Sequence, residues 1–129
     1  MTLSAKLVSP LFVLFLCAPV AAQETVGKAG GGDGQILFNN ACRTCHTLRE
    51  GDNRLGPNLH KIVGRKAGSL PGYGYSSALK GADLTWDKAT LDKFIANPDQ
   101  VVNGHSMRPY GGMASPEERA KIVAFLEAQ

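Results

Sequence analysis

Apolar side chains fall along this chain in separate blocks, and each block has its own spacing. Leu11-Phe12-Val13-Leu14-Phe15-Leu16-Cys17 is continuous, whereas Leu91, Phe94 and Ile95, and later Ile122, Val123, Phe125 and Leu126, recur at the three-to-four interval of one helical face. Ile36, Leu37 and Phe38 open a further helical segment that runs into residues 42–46. Thr85 is placed to cap a helix over Trp86 to Asn97, which Asn97-Pro98 ends. The last helix opens at Ser115-Pro116-Glu117-Glu118: serine caps, proline takes the first helical position and Glu118 completes a capping box. Between Thr47 and Thr85 the chain is rich in glycine, carries Pro57 and Pro71, and has few periodic apolar positions, which predicts loop. No segment alternates with the period of a half-buried strand and there is no internal repeat, so the expected class is all-α, with about three main helices and long loops. A loop region of that length fits a small domain when it wraps around something.

The continuous apolar block has a different meaning. It follows Lys6 and leads to the small residues Ala18, Ala21 and Ala22, the layout of a secretory signal with cleavage after Ala22. A membrane anchor needs about 20 apolar residues, and this block is shorter and flanked by Pro10 and Pro19. Leu16 stands where a small residue would precede a lipid-modified Cys17. Residues 1–22 are therefore read as signal, 23–33 as a glycine-rich flexible lead-in and 34–129 as one domain. The location implied is the periplasm. Loss of Lys6 takes the formal charge from +3 to +2. So small a charge says little about partners, but a nucleic-acid role would want a basic stripe and none appears, so no nucleic-acid partner is expected.

Without the signal, Cys42 and Cys45 are the only cysteines. They stand in Cys42-Arg43-Thr44-Cys45-His46, and a Cys-x-x-Cys-His run in an exported chain is an attachment site for a c-type heme. Two thiols at this spacing can each add to one vinyl group of a porphyrin, leaving the next histidine beside the iron. Other chemistries use the same residues. A thiol redox pair normally sits on the strand-to-helix turn of a thioredoxin-like pattern, absent here. Zinc would need four ligands, and His60 and His105 stand alone. A disulfide between positions three apart closes too small a loop to staple a domain.

The helix, the motif, the long glycine-rich wrap and two further helices, in that order, resemble the class I cytochromes c over Gly34 to Gln129. The resemblance is carried further by Gly56-Pro57-Asn58-Leu59-His60, by Gly64-Arg65-Lys66 with Pro71-Gly72-Tyr73-Gly74-Tyr75 and Leu84-Thr85-Trp86, and by Asn97-Pro98 with Asn103-Gly104-His105-Ser106-Met107. It implies one heme c per chain, bound through Cys42 and Cys45, with His46 and Met107 as axial iron ligands. Pro57 would orient His46 through its carbonyl, and Arg65, Tyr75 and Trp86 would hydrogen-bond a heme propionate, which in an apolar pocket needs donors. Gly34 and Phe38 are expected to meet Ile122 and Phe125. His105, two residues from Met107, is a rival ligand; Met113 is expected to pack beneath the last helix, and His60 to lie on the surface.

The function implied is one-electron transfer rather than catalysis, between redox partner proteins, by a monomer or in transient complexes. Two departures bear on this. Asp99, Gln100 and Ser106 stand where members of the family often carry lysines that steer acidic partners, which leaves open a dedicated role as the heme subunit of a periplasmic dehydrogenase. Leu79 replaces a frequent asparagine and should dry the pocket. A heme enzyme or gas sensor would need an open iron position, and no distal acid–base pair accompanies the motif.

Overall fold

The computed structural model describes Met1 and residues 31–129. The signal reading and its cleavage after Ala22 lie, Met1 apart, outside the described residues, as does the lead-in up to residue 30. Five helices follow in order: α1 (Gly31–Ala41), α2 (Ser77–Gly81), α3 (Lys88–Ala96), α4 (Pro98–Val101) and α5 (Pro116–Glu127). Among the described residues the only β pairing is an isolated antiparallel bridge between Lys66 and Thr85.

Helix α1 begins inside the stretch expected to be flexible. Asp33 sits in its first turn, where a carboxylate complements the exposed N–H groups, and lies 3.2 Å from Lys121 of α5. The α1–α5 contact is the frame of the fold. Gly34 lets the two backbones meet: a Cβ there would stand 2.4 Å from the Lys121 carbonyl oxygen and 2.7 Å from Phe125 Cβ. One turn later Phe38 packs on Phe125 with ring centroids 5.6 Å apart, and Ile122 is fully buried beside them. The crossing expected from Gly34, Phe38, Ile122 and Phe125 is thus present.

Helix α3 completes the core by burying Leu91, Phe94 and Ile95, with Trp86 edge-on to Phe94 at 4.9 Å. Its start corrects the reading of Thr85 as cap. Thr85 and Trp86 are still extended, since Trp86 N–H donates to Arg65 O and Ala67 N–H to Leu84 O across the bridge. The helix can begin only after that pairing ends. Asp87 is the cap, its Oδ1 accepting Thr90 N–H at 2.7 Å. At the other terminus Ser115 Oγ accepts Glu118 N–H, with Pro116 in the first turn of α5, as its sequence predicts. Arg119 joins α5 to α3, donating to Asp92 at 2.8 Å and to the carbonyls of Met113 and Ala114.

The two short helices have no sequence counterpart. Helix α2 is capped by Ser76 and buries Leu79; α4 is capped by Asn97, which also closes α3, and starts at the buried Pro98. Four or five residues are too few to display a period.

Candidate functional site

Past Ala41 the chain keeps coiling. Cys42 N–H donates to Phe38 O at 2.8 Å, and Cys45 and His46 N–H both donate to Cys42 O, at 3.1 and 2.9 Å. That extra turn is an extension of α1, so the core that fixes Phe38 also fixes the motif. The two cysteines form no disulfide and both are half-buried. Burial, with the nearby Cys45, pushes the Cys42 thiol up to about 11, so it stays protonated at neutral pH.

His46 is buried and its Nδ1 lies 2.7 Å from Pro57 O. A carbonyl only accepts, so Nδ1 carries the proton and Nε2 is left as the bare nitrogen. Burial lowers the imidazole pKa from its ordinary 6.5, against the opposing pull of the Pro57 carbonyl, so the ring is neutral at pH 7. Gly56 lets the loop close on this ring: a Cβ there would fall 2.3 to 2.8 Å from its atoms. Gly56 N–H in turn donates to Cys45 O at 2.8 Å.

These groups face one cavity, with about 1170 Å³ of empty space including its open mouth. Cys42, Cys45, His46, Pro57, Tyr75, Trp86 and Met107 all line it. The rest of its wall is mostly apolar, with Ile62, Leu79, Leu91, Phe94 and Ile122 among the contributors. Leu79, 8 % exposed, contributes an apolar side chain to that wall.

Arg65 is the residue of the expected set that does not line the cavity. Its guanidinium donates to Asn58 O at 2.8 Å and to His60 O, closing the loop behind the site. It still lies beside Tyr75: burial raises the Tyr75 hydroxyl, and Arg65 pulls against that rise. Met113 packs against the core, and its carbonyl accepts a hydrogen bond from Arg119 of α5. His60 is half-buried rather than on the open surface. His105 is buried and does not line the cavity. Its ring stacks edge-on to Phe94 at 5.8 Å and its Nδ1 accepts Met107 N–H at 2.9 Å, so the nitrogen that could compete for a metal is already engaged.

Two lining residues carry no signal in the sequence. Tyr73 donates to Leu55 O at 2.7 Å and meets Tyr75 edge-on at 4.8 Å. Tyr110 donates to Ile95 O at 2.8 Å, and burial, with Cys42 adding, pushes its hydroxyl up to about 12. Tyr73 lies within the Pro71–Tyr75 segment and Tyr110 beyond the Met107 segment; nothing in their spacing tells a lining ring from a surface one.

Residues 30–126 match the family model described as cytochrome C oxidase, cbb3-type, subunit III. A cytochrome c2 of Rhodomicrobium vannielii is 46 % identical over 100 residues, covering 74 % of this chain and 76 % of that protein. A cytochrome c2 of Rhodopila globiformis is 41 % identical over 104 residues, covering 78 % and 97 %. Among solved structures, cytochrome cH from Methylobacterium extorquens superposes with a TM-score of 0.70 at 37 % identity, over 75 % of this chain and 96 % of that one.

Proposed function

The chain belongs to the class I cytochrome c family of electron carriers, and we propose that it carries single electrons in the periplasm by means of one covalently held heme c. The observation that supports this most is the convergence of Cys42, Cys45, His46 and Met107 on a single apolar cavity. The residues fit a porphyrin: two uncharged-capable thiols on one turn, an imidazole with its bare nitrogen available, and a thioether in the same wall. The bound heme would supply the one-electron iron couple.

The roles of the chain's own residues follow from their chemistry. Cys42 and Cys45 would hold the heme through thioether bonds, and His46 and Met107 would ligate its iron. A neutral thioether paired with an imidazole favours reduced iron relative to two imidazoles, so Met107 rather than His105 as ligand would raise the potential. Pro57 fixes the ring of His46 and makes it a better donor. Tyr75 and Trp86 offer donors to a propionate, and Arg65, beside Tyr75, adds its positive charge. The apolar wall excludes water, which strengthens those interactions.

No helix among the described residues is long and apolar enough to cross a membrane. The signal reading of residues 1–22 supports a periplasmic carrier that meets donor and acceptor in transient complexes. A second reading, the heme subunit of a dedicated dehydrogenase, is favoured by one observation. Arg108, in the cavity wall, pairs with Asp99 at 3.0 Å, so its charge is partly cancelled where long-range steering would need it. A tight stoichiometric partner in gentle purification would select that reading.

Intact-mass measurement of the purified, denatured holoprotein tests the central attachment. The expected mass is the chain from Gln23 plus one heme. A chain that loses all heme on denaturation would refute covalent binding through Cys42 and Cys45.

A further inference from the structure

The loop that carries Met107 is tied down by side chains. Among the described residues, the backbone from Ser106 to Gly112 makes no hydrogen bond to other backbone; the bonds on either side are His105 N–H to Val102 O and Met113 N–H to Ile95 O. Met107 N–H instead donates to His105 Nδ1 at 2.9 Å. An accepting ring nitrogen is bare, so the proton of His105 sits on Nε2. That N–H belongs to a side chain 1 % exposed and has no hydrogen-bond partner, and Asp99 Oδ1 lies 3.3 Å from it. The same carboxylate receives Arg108 Nη2 on both oxygens, at 3.0 and 3.3 Å. Asp99 therefore reaches the loop two residues before Met107 and one residue after it, from the single turn of α4, which Asn97 caps and Pro98 anchors in the core.

The geometry points to Asp99 as the positioning residue of the Met107 loop, holding it against the cavity chiefly through His105. This rests on the reading of Met107 as an iron ligand. The two ties differ in strength for a physical reason. Arg108 and Asp99 are 67 % and 48 % exposed at the side chain, and an ion pair so open to water contributes little. The His105 N–H is out of water and makes no hydrogen bond, so the charge of this carboxylate, 3.3 Å from Nε2, is what offsets its lost solvation, and removing Asp99 leaves it with nothing. An imidazole so oriented offers Nδ1 to Met107 N–H in the one tautomer that can accept it. Asp99 thus acts through a neighbour, and its consequence is resistance of the loop to opening and to replacement of Met107 by an outside ligand.

The test is imidazole binding to the ferric holoprotein, followed by visible absorption, for wild type, Asp99→Ala, Arg108→Ala and Met107→Ala. Asp99→Ala should bind imidazole about tenfold more tightly than wild type, and Arg108→Ala less than about threefold more tightly. In parallel, hydrogen exchange of the Met107 amide should speed up in Asp99→Ala. Wild-type imidazole affinity in Asp99→Ala, or a change no larger than that of Arg108→Ala, overturns the assignment. Met107→Ala should bind tightest of all. If it binds as wild type does, the ligand reading fails, and amide exchange alone still decides whether Asp99 holds the loop: unchanged exchange overturns it. Should Asp99→Ala yield no holoprotein, Asp99→Ser, whose shorter side chain leaves the His105 N–H without a carboxylate, carries the same test with the same sign.

Discussion

The two sides of the cavity are built in different ways. On the His46 side, backbone does the holding: the motif continues α1 through Phe38 O and Cys42 O, Gly56 N–H returns to Cys45 O, and Leu59 N–H to Thr47 O at 2.7 Å. On the Met107 side the chain spans Ser106 to Gly112 with no backbone–backbone bond among the described residues, and His105, Arg108 and Tyr110 fasten it. A backbone-held segment opens only with the helix beneath it. A loop held by side chains opens one tie at a time, so it belongs to the less stable part of the fold. On the proposed ligation, the same contrast makes Met107 the easier of the two ligands to lose.

The largest effect should come from breaking the backbone-held side at its tightest point. Gly56→Ala forces a Cβ into the imidazole of His46 and should cost about 3 kcal/mol, near the top of the range for overpacking. Denaturant unfolding of the holoprotein measures it; a loss below about 0.5 kcal/mol would show that the ring can shift freely, against the rigid picture of this side. On the other side, Tyr110→Phe removes the hydroxyl that donates to Ile95 O and should cost about 1 kcal/mol. That is a fall of about 5 °C in thermal midpoint, with faster amide exchange confined to the loop. Exchange that speeds up equally around His46 would erase the distinction.

The smallest effect lies outside both sides and serves as their control. The Asp87 carboxyl is held below its ordinary 3.8 by hydrogen bonds from Thr90. A carboxyl depressed in the folded state stabilises it above the unfolded pKa, and that contribution disappears as pH falls through the folded one. Asp87→Ala should therefore be slightly less stable than wild type at neutral pH, and the gap should narrow as pH drops below 3.8. A gap that stays constant to low pH would mean that the charge of Asp87 does not act as the cap.

The unequal construction also explains how much could be read from the sequence. The Cys42 to His46 run, Pro57 and the Gly34–Phe125 contact belong to parts fixed by backbone or by close helix approach, where residue type and spacing are tightly constrained. The amphipathic stripes of α3 and α5 were legible for the same reason. Thr85 looked like a cap because it precedes the helical period; its pairing with Lys66, nineteen positions away, holds the chain extended and passes the role to Asp87. His105 is the most instructive case. Spacing put a second potential ligand beside Met107, but ring direction depends on Asp99 and Phe94, and the structure turns it into a brace. Arg65 likewise kept its place near Tyr75 while its hydrogen bonds went to Asn58 and His60, a choice set by the local path of the loop.

The central claim is that Met107 closes the sixth position of the iron, and the visible spectrum of the reduced holoprotein before and after brief exposure to carbon monoxide at neutral pH tests it most directly. The account predicts an unchanged spectrum, because a bound thioether leaves no position to fill. A prompt shift would contradict it, placing an open or weakly held site where the loop should be shut and moving the chain toward a heme enzyme or gas sensor.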